Sequence, residues 1–466
     1  RSTLFPYTTL FRSTNLVVVQ KNETVSMTEG GIFKQLFQFF LPIFWGGFFQ
    51  QIYQMTDALV VGRFAGKVAF GALDATGNFI RLPLVFFLGM ATGASIIVAQ
   101  SFGGKNYKCL RDSLHTTMGF TLVAGCVLSL IFYLLAPTMV NWMHVPEEMA
   151  VHALAYTRAL FIGLIFSFIY NMGYGILRAL GDSKRPFYYL LISLGLNVVL
   201  DIFFIAVLHM ASLGAGIATV ISQAVTALLV LRAMSRLDEE YGLSFRKICI
   251  YKTNLLEILT MGIPISIQSM AYPIINIFTQ SRINSFGTNA IVAWGINGKV
   301  DFIVWMMVEA IAVSVATFTA QNYGAGNLDR IKKGVHTGFI MAACTLVPLS
   351  ILLYFFGGEI GRIFIDDAAV VALNYRIFRY FMAPFYVFQG VGDIIAGAIR
   401  GTGKTIRPMT INLICICGFR FLWVLLIVPM KPTLDMTLTN YSVSWILMCM
   451  AFLWTYKRGK WLEKEV

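Results

Sequence analysis

The sequence predicts an all-α polytopic membrane protein with twelve transmembrane helices in two six-helix bundles, which are related by a pseudo-twofold axis along the membrane normal. Composition supports this first: of 466 residues, 57% are hydrophobic and only 13% are charged, whereas about a quarter of a soluble domain is charged. Because roughly 20 apolar residues span a bilayer as a helix, there is room for about a dozen spans. A water-soluble enzyme and a disordered chain are excluded.

The apolar runs place six spans in each half of the chain. The first six are predicted at Leu36 to Val61, Ala72 to Ala99, Ser113 to Ala136, Ala150 to Tyr174, Pro186 to Leu208 and Leu213 to Leu231. The second six are predicted at Leu255 to Ile283, Ile291 to Ala320, Gly334 to Phe356, Tyr375 to Ile399, Pro408 to Val428 and Leu438 to Tyr456. Four regions follow: an N-lobe (27–231), a cytoplasmic inter-lobe loop (232–253), a C-lobe with a short cytoplasmic tail (254–466), and residues 1–26. That last stretch is predicted to be a non-native or disordered extension, because its repeated Thr-Leu-Phe is typical of translated cloning sequence.

Loop charges predict the orientation. If the N-terminus is inside, the predicted cytoplasmic loops carry about four times as many Lys and Arg residues as the opposite loops. The net charge of +13 is therefore attributed to a positive-inside bias and not to nucleic-acid binding. We expect a multi-pass protein of a prokaryotic inner membrane, with both termini in the cytoplasm.

An internal repeat is the strongest sign of organisation. The motif Ala99-Gln-Ser-Phe-Gly103 recurs as Ala320-Gln-Asn-Tyr-Gly324, at a shift of 221, and Pro42 recurs as Pro264, at a shift of 222. Since an even number of spans separates equivalent points, the two copies share one orientation in the membrane. Two facing parallel bundles are the architecture expected for alternating access.

Two acids at membrane depth are the main candidates for function, because each costs about 2.5 to 3.5 kcal/mol to insert. Asp57 lies near the end of span 1, Asp201 lies in span 5 with Asn197 one turn before it, and Thr219 of span 6 offers a hydroxyl. Such oxygen ligands suit Na⁺ or a proton, and two close carboxylates favour holding one. The alternative is that Asn197 makes an interhelical hydrogen bond while Asp57 faces a vestibule.

The repeat provides an internal control for these positions. A shift of 222 from the four N-lobe residues leads to Thr279, Phe419, Trp423 and Tyr441. The C-lobe copy therefore lacks the acid pair, so the scaffold itself does not require it.

Other groups at membrane depth either pair across helices or line a cavity. The charged ones are Arg158, Asp301, Glu309, Asp393 and Arg420. The predicted substrate cavity consists of Tyr170, Met172, Tyr272, Glu309, Gln389 and Asp393. Aromatic and methionine side chains suit bulky apolar cations, although packing or lipid contact explains any single one equally well.

Enzymatic motifs are incomplete. The Gly-Lys-Thr at 403–405 ends like a P-loop, but the required glycine is replaced by Ala398. The Gly-Val-Gly-Asp at 390–393 matches intramembrane aspartyl proteases, yet the chain contains no Tyr-Asp partner dipeptide. Seven scattered cysteines and five dispersed histidines form no metal-ligand spacing. We therefore expect neither an enzyme nor a cofactor, only a coupling ion.

Several motifs together resemble the multidrug and toxic compound extrusion (MATE) transporters. They are Leu41-Pro42 followed by Asp57, the twin Ala-Gln-x-aromatic-Gly turns, the Leu-Arg-Ala-Leu-Gly-Asp at 177–182, and the Asn-Val-Val-Leu-Asp at 197–201. The resemblance covers Met27 to the C-terminus. It implies two six-helix lobes that couple export of organic compounds to entry of Na⁺ or H⁺.

The resemblance also implies where the ion binds. Asp57, Asn197, Asp201 and Thr219 match the N-lobe cation site of DinF-like members. At the positions of the C-lobe acids of NorM-like members this chain has Tyr272 and Gln389, with Asp393 one turn away as a possible replacement. A DinF-like mechanism is therefore expected.

The functional expectation is a secondary active antiporter for organic, amphipathic, cationic compounds, working as a monomer without nucleic acid or an obligate protein partner. The alternative is a lipid or lipid-linked oligosaccharide flippase of the same superfamily. A flippase would have a more cationic central cavity, whereas the mid-membrane charges of the first half are largely acidic.

Overall fold

The computed structural model describes residues 26–143 and 145–463, and it contains helices but no strand among them. The expectation for residues 1–25 lies outside the described residues. Twelve spans follow one another: α1 (Ile32–Val60, extended by a π-helical turn Val61–Ala65), α2 (Gly66–Gly103), α3 (Tyr107–Trp142), α4 (Glu147–Ile162 and Leu164–Ala179), α5 (Lys184–Val207), α6 (Ala211–Ser235), α7 (Lys252–Asn284), α8 (Thr288–Gly324), α9 (Leu328–Phe364), α10 (Ala368–Gly401), α11 (Ile406–Met430) and α12 (Leu434–Lys457).

The number of membrane spans depends on how two interruptions in the helices are counted, one at Gly66 and one at Gly163. The run Ile32–Gly103 has 72 residues and would measure about 108 Å if it were one helix, far more than a hydrocarbon core of about 30 Å. It breaks at Gly66, whose φ of +83° favours glycine. The two parts of α4 meet at Gly163 with a bend of 47°, where a Cβ would overlap Val220 of α6. The predicted all-α architecture is confirmed.

Two large apolar cores are centred on the two halves of the chain, and each also takes in side chains of the other half, such as Phe39 of α1 in the second core and Ile265 of α7 in the first. In the first half, buried side chains of α2, α3, α4 and α6 pack together, with Phe87 and Phe168 stacked at a centroid distance of 3.8 Å. A larger core joins α8, α9, α10 and α12 in the second half. We call the six-helix units α1–α6 and α7–α12 the N-lobe and the C-lobe.

The lobes meet mainly where α2 packs on α7 and α8. At two levels of this contact the backbones approach closely, because a Cβ at Gly89 or Gly93 would collide with the backbone of Ser266 or Gly262. Small residues allow such approach between membrane helices. The chain that connects the lobes is also anchored, since the Ser244 amide donates to His115 Nε2 at 3.1 Å.

Candidate functional site

Both N-lobe acids lie within about one helical turn of an irregular, π-helical segment. Asp57 lies four residues before the π-helical turn Val61–Ala65 of α1, and Asp201 directly precedes the turn Ile202–Val207 of α5. Single π-helical turns inside α-helices are rare and are frequently found at functional sites. In the C-lobe, π-helical turns also occur at Ile377–Met382, Leu413–Gly418 and Trp423–Ile427, so the irregular backbone accompanies the two acids but does not single them out.

The structure brings the two carboxyl groups together. Asp57 and Asp201 lie within hydrogen-bonding reach of each other, and each has a buried Oδ1 without a hydrogen-bond partner among the described residues. Neither forms an ion pair with a basic side chain of that part of the chain. Two adjacent carboxylates repel each other strongly in a low-dielectric interior, so the pair is suited to hold one cation or one shared proton.

Asn197 lies between Asp201 and the backbone of Thr219. With its amide nitrogen facing the acid, Asn197 donates to Asp201 Oδ2 at 2.8 Å, and its oxygen accepts from the Thr219 backbone N–H at 3.3 Å. Asn197 and Asp201 are each only 1% exposed. Their separation of four residues places both on one face of α5, and the amide therefore fixes the orientation of the Asp201 carboxyl.

Two tyrosines at this site were missed by the sequence analysis. Tyr53 lies one turn before Asp57 on α1, and its hydroxyl is 3.4 Å from Thr219 Oγ1. Tyr156 of α4 lies close enough to Tyr53 and both acids to interact with them electrostatically. The i,i+4 spacing of Tyr53 and Asp57 was a usable signal, but nothing in the sequence places α4 beside the acids.

The C-lobe has different chemistry at the equivalent depth. Trp423, the repeat equivalent of Asp201, donates its indole N–H to the Met436 carbonyl at 2.8 Å, and its ring centroid lies 5.4 Å from that of Phe419 with the ring planes tilted by 40°. Between these two residues, Arg420 is 4% exposed and lies over the Tyr441 ring at 4.1 Å. A fixed guanidinium thus occupies the C-lobe interior, whereas the N-lobe interior carries paired acids.

The predicted cavity residues divide into two groups. In the N-lobe, Met172 is fully buried in the apolar core and Tyr170 is 8% exposed, with its ring 5.8 Å from Tyr174. In the C-lobe, Asp393 lies close enough to interact electrostatically with Tyr272 and Glu309. Gln389 lies one turn before Asp393 on the partly buried face of α10. Tyr272, Glu309 and Asp393 are therefore neighbours, and Tyr170 and Met172 are not part of that group.

The twin turns of the repeat join the lobes at the face that loop charges predict to be cytoplasmic. Gln100 Nε2 donates to the Gly401 carbonyl at 2.8 Å, and Gln321 Nε2 donates to the Ala179 carbonyl at 2.8 Å. The accepting residues are themselves related by the repeat shift of 222. We call these two reciprocal bonds the glutamine latch.

Close backbone contact accompanies the glutamine latch. A Cβ at Gly103 would overlap the Gln321 carbonyl oxygen, and a Cβ at Gly324 would overlap that of Gln100. The final glycine of each motif is therefore required by the approach of the opposite lobe. The latch is not fully symmetric, because Gln321 Oε1 also accepts from the Met27 amide at 2.8 Å.

A known family model matches this chain twice, once in each half. The family model described as MatE matches residues 42–203 and again 264–425, an offset of 222 between the two matches. The probable multidrug resistance protein YoeA of Bacillus subtilis is 28% identical over 404 residues, covering 85% of this chain and 87% of that protein. YpnP of the same organism, also a probable multidrug resistance protein, is 28% identical over 439 residues, covering 93% and 97%.

Solved structures share the fold. A MOP superfamily transporter from Pyrococcus furiosus superposes with a TM-score of 0.85 at 19% identity, covering 96% of this chain and all of that one. The resemblance predicted from the motifs is confirmed by the family match.

Proposed function

The chain belongs to the MatE family of membrane transporters, and we propose that it exports organic cations in exchange for Na⁺ or H⁺. The observation that carries this proposal is the contact between Asp57 and Asp201, two acids inside one lobe with no basic partner among the described residues. The B. subtilis relatives are named for multidrug resistance, which supports export of drug-like compounds.

The cation would be held by oxygen atoms alone. Asp57 and Asp201 provide carboxylates, and the hydroxyls of Thr219 and Tyr53 lie beside them. Oxygen ligands suit a hard cation, and a proton shared between the two carboxyls would relieve the same repulsion. In this scheme the ion is transported in exchange for the substrate and is not a resident cofactor.

Coupling requires that ion and substrate prefer different conformations. When the ion neutralises the acids, α1 loses the repulsion between Asp57 and Asp201 and can repack at its π-helical turn. We propose that this repacking weakens substrate binding and favours the inward-facing state, and that substrate from the cytoplasm favours the return. Each ligand then shifts the equilibrium only by its difference in affinity for the two states.

The glutamine latch supports alternating access between the lobes. It joins the ends of α2 and α8 to the ends of α10 and α4, so the lobes can separate at this face only if both reciprocal bonds break. Each net hydrogen bond contributes about 0.5 to 1.5 kcal/mol. The two bonds together therefore add about 1 to 3 kcal/mol to the closed state, a contribution that substrate binding can offset.

The remaining expectations form part of the same proposal. The positive-inside bias supports an inner-membrane protein with both termini cytoplasmic, and a complete pathway within one chain supports a functional monomer. The flippase alternative is not favoured, because the N-lobe interior is acidic and the relatives described above are named for drug resistance.

Dye transport in proteoliposomes tests the proposal. Wild-type protein should move a cationic dye when a Na⁺ gradient or a pH gradient is imposed, and the effective gradient identifies the ion. Asp57→Asn and Asp201→Asn should abolish gradient-driven transport, whereas the exposed acid Asp74 of the same lobe provides a matched control, Asp74→Asn. Unchanged transport by both site variants would contradict the proposal.

A further inference from the structure

Arg420 is a buried charge that the cation cycle does not use. It lies on a short α-helical turn, Phe419–Leu422, between two π-helical turns of α11. Its Nε donates to Ser444 Oγ at 2.9 Å, and its guanidinium faces the rings of Tyr441 and Trp445 at 4.1 and 5.8 Å. These contacts hold the plane of the guanidinium but engage only one of its five donors.

The outer nitrogens of Arg420 have no partner among the described residues. Among the described residues no hydrogen bond engages either Nη, and no carboxylate oxygen lies within 4.0 Å. Among the same residues, the Nε atom of Arg158 is unpaired and completely buried, whereas the Nη atoms of Arg420 are unpaired but not completely buried. Each Nη atom therefore keeps some accessible surface, although the residue as a whole is only 4% exposed. A charge inside a membrane lobe is costly unless something pairs with it.

A carboxyl and a hydroxyl stand near this guanidinium. Asp301 of α8 interacts with Arg420 electrostatically but does not reach ion-pair distance. The Tyr386 hydroxyl of α10 is buried and lies within hydrogen-bonding reach of Asp301. Its ring is 5.6 Å from Trp445. An aromatic-walled site thus presents one positive and one negative group that are not paired with each other.

We propose that Arg420, Asp301 and Tyr386 form a C-lobe subsite for zwitterionic substrates, in which the substrate carboxylate binds the Arg420 Nη donors and its positive group faces Asp301. Separated opposite charges with unsatisfied donors match a ligand that carries both charges, because each pairs with one of them on binding. The aromatic walls accommodate a planar organic body. This inference rests on the proposed function and adds the substrate class.

A matched pair of dyes tests the role of the carboxylate. Rhodamine B carries a free carboxylate beside its cationic ring system, and its ethyl ester keeps the ring system but not the negative charge. Fluorescence polarisation of each dye with the purified full chain gives the two affinities. Arg420→Gln should weaken binding of rhodamine B by about tenfold or more, and binding of the ester by less than about twofold.

Further variants separate recognition from folding. Arg420→Lys keeps the charge but loses the planar fork, so binding of rhodamine B should weaken only by about threefold. Arg158→Gln is the matched control, because Arg158 stacks over the Tyr133 ring at 5.2 Å in the other lobe, and it should leave both affinities unchanged. If Arg420→Gln does not fold, Arg420→Lys and Ser444→Ala carry the test with the same expected preference for the ester.

Two results would overturn the subsite: equal weakening of both dyes by the Arg420 variants, or unchanged binding of rhodamine B. Failure of the proposed function is a different outcome. In that case wild-type protein would transport neither dye under a Na⁺ or pH gradient, while the Arg420-dependent preference for the carboxylate would persist in the binding assay.

Discussion

The two lobes share a fold but solve the problem of a charge inside a membrane in opposite ways. The N-lobe interior holds Asp57 and Asp201 with no basic partner in the described chain, whereas the C-lobe interior holds Arg420, stabilised by Tyr441 and Ser444. In our proposal the first arrangement takes up a mobile cation, whereas the second contains a permanent positive charge. The two halves of the repeat therefore share one fold but differ in the charge of their interiors.

The largest expected effect comes from the N-lobe pair. Asp57→Asn, Asp201→Asn and the double variant should each reduce gradient-driven dye transport by at least about a hundredfold, and the double variant should be no worse than either single one, because the two acids act as a unit. Initial rates in proteoliposomes measure this. Trp423→Phe, at the C-lobe position equivalent to Asp201, should stay within about threefold of wild type, since it loses one hydrogen bond. Additive losses in the double variant would show that the acids act independently.

A second prediction concerns the fixed charge of the C-lobe. Asp301→Asn should lower the melting temperature, because it removes the carboxylate that offsets Arg420, and adding Arg420→Gln should restore most of the loss. The expected interaction energy is about 1 kcal/mol. Thermal unfolding of the four proteins of this double-mutant cycle measures it. Strict additivity would mean that the two residues are not energetically coupled.

The glutamine latch gives a smaller and asymmetric effect. Gln100→Ala and Gln321→Ala each remove one cross-lobe bond of 2.8 Å, and Gln321→Ala also removes the acceptor for Met27. Because each net bond contributes about 1 kcal/mol, the ratio of closed to open protein should fall about fivefold in the first variant and further in the second. Distances between spin labels on the two lobes report this ratio. Equal shifts would remove any separate role for the Met27 contact.

The smallest effect is expected at Tyr53. Its hydroxyl is 3.4 Å from Thr219 Oγ1, a long contact, so Tyr53→Phe should raise the cation concentration for half-maximal transport by only about two- to threefold. Titration of transport against Na⁺ or pH measures this value. A complete loss of transport in Tyr53→Phe would contradict this prediction and would show that the Tyr53 hydroxyl is essential.

The sequence was sufficient to predict the membrane helices and the two acids, but not the residues of other helices that pack around those acids. Hydropathy located every span, since a membrane helix must be apolar along its length. Asn197 and Asp201 were joined correctly because their spacing fixes a shared helix face. Tyr156 could not be found in this way, because its place beside the acids depends on how α4 packs on other helices. Bends such as that at Gly163 carry no periodic signal.

In the C-lobe, the sequence repeat indicated which acids are absent but did not indicate where Arg420 lies. The repeat shift correctly indicated that no acids replace Asp57 and Asp201 there, but it aligned Arg420 with an apolar position, Val198. Only the structure places its guanidinium over Tyr441. The latch, in contrast, was visible as a repeated motif, although its cross-lobe bonds were not, because a sequence does not specify which backbone carbonyl a glutamine will meet.

Direct measurement of cation binding by the purified protein tests the central claim. Titration calorimetry with Na⁺, together with proton uptake on acidification in weak Na⁺-free buffer, should detect one cation-binding event per chain in wild-type protein. The event should disappear in both Asp57→Asn and Asp201→Asn and persist in Asp301→Asn. Binding that survives in the N-lobe variants but is lost in Asp301→Asn would contradict the account, because it would locate the ion in the wrong lobe.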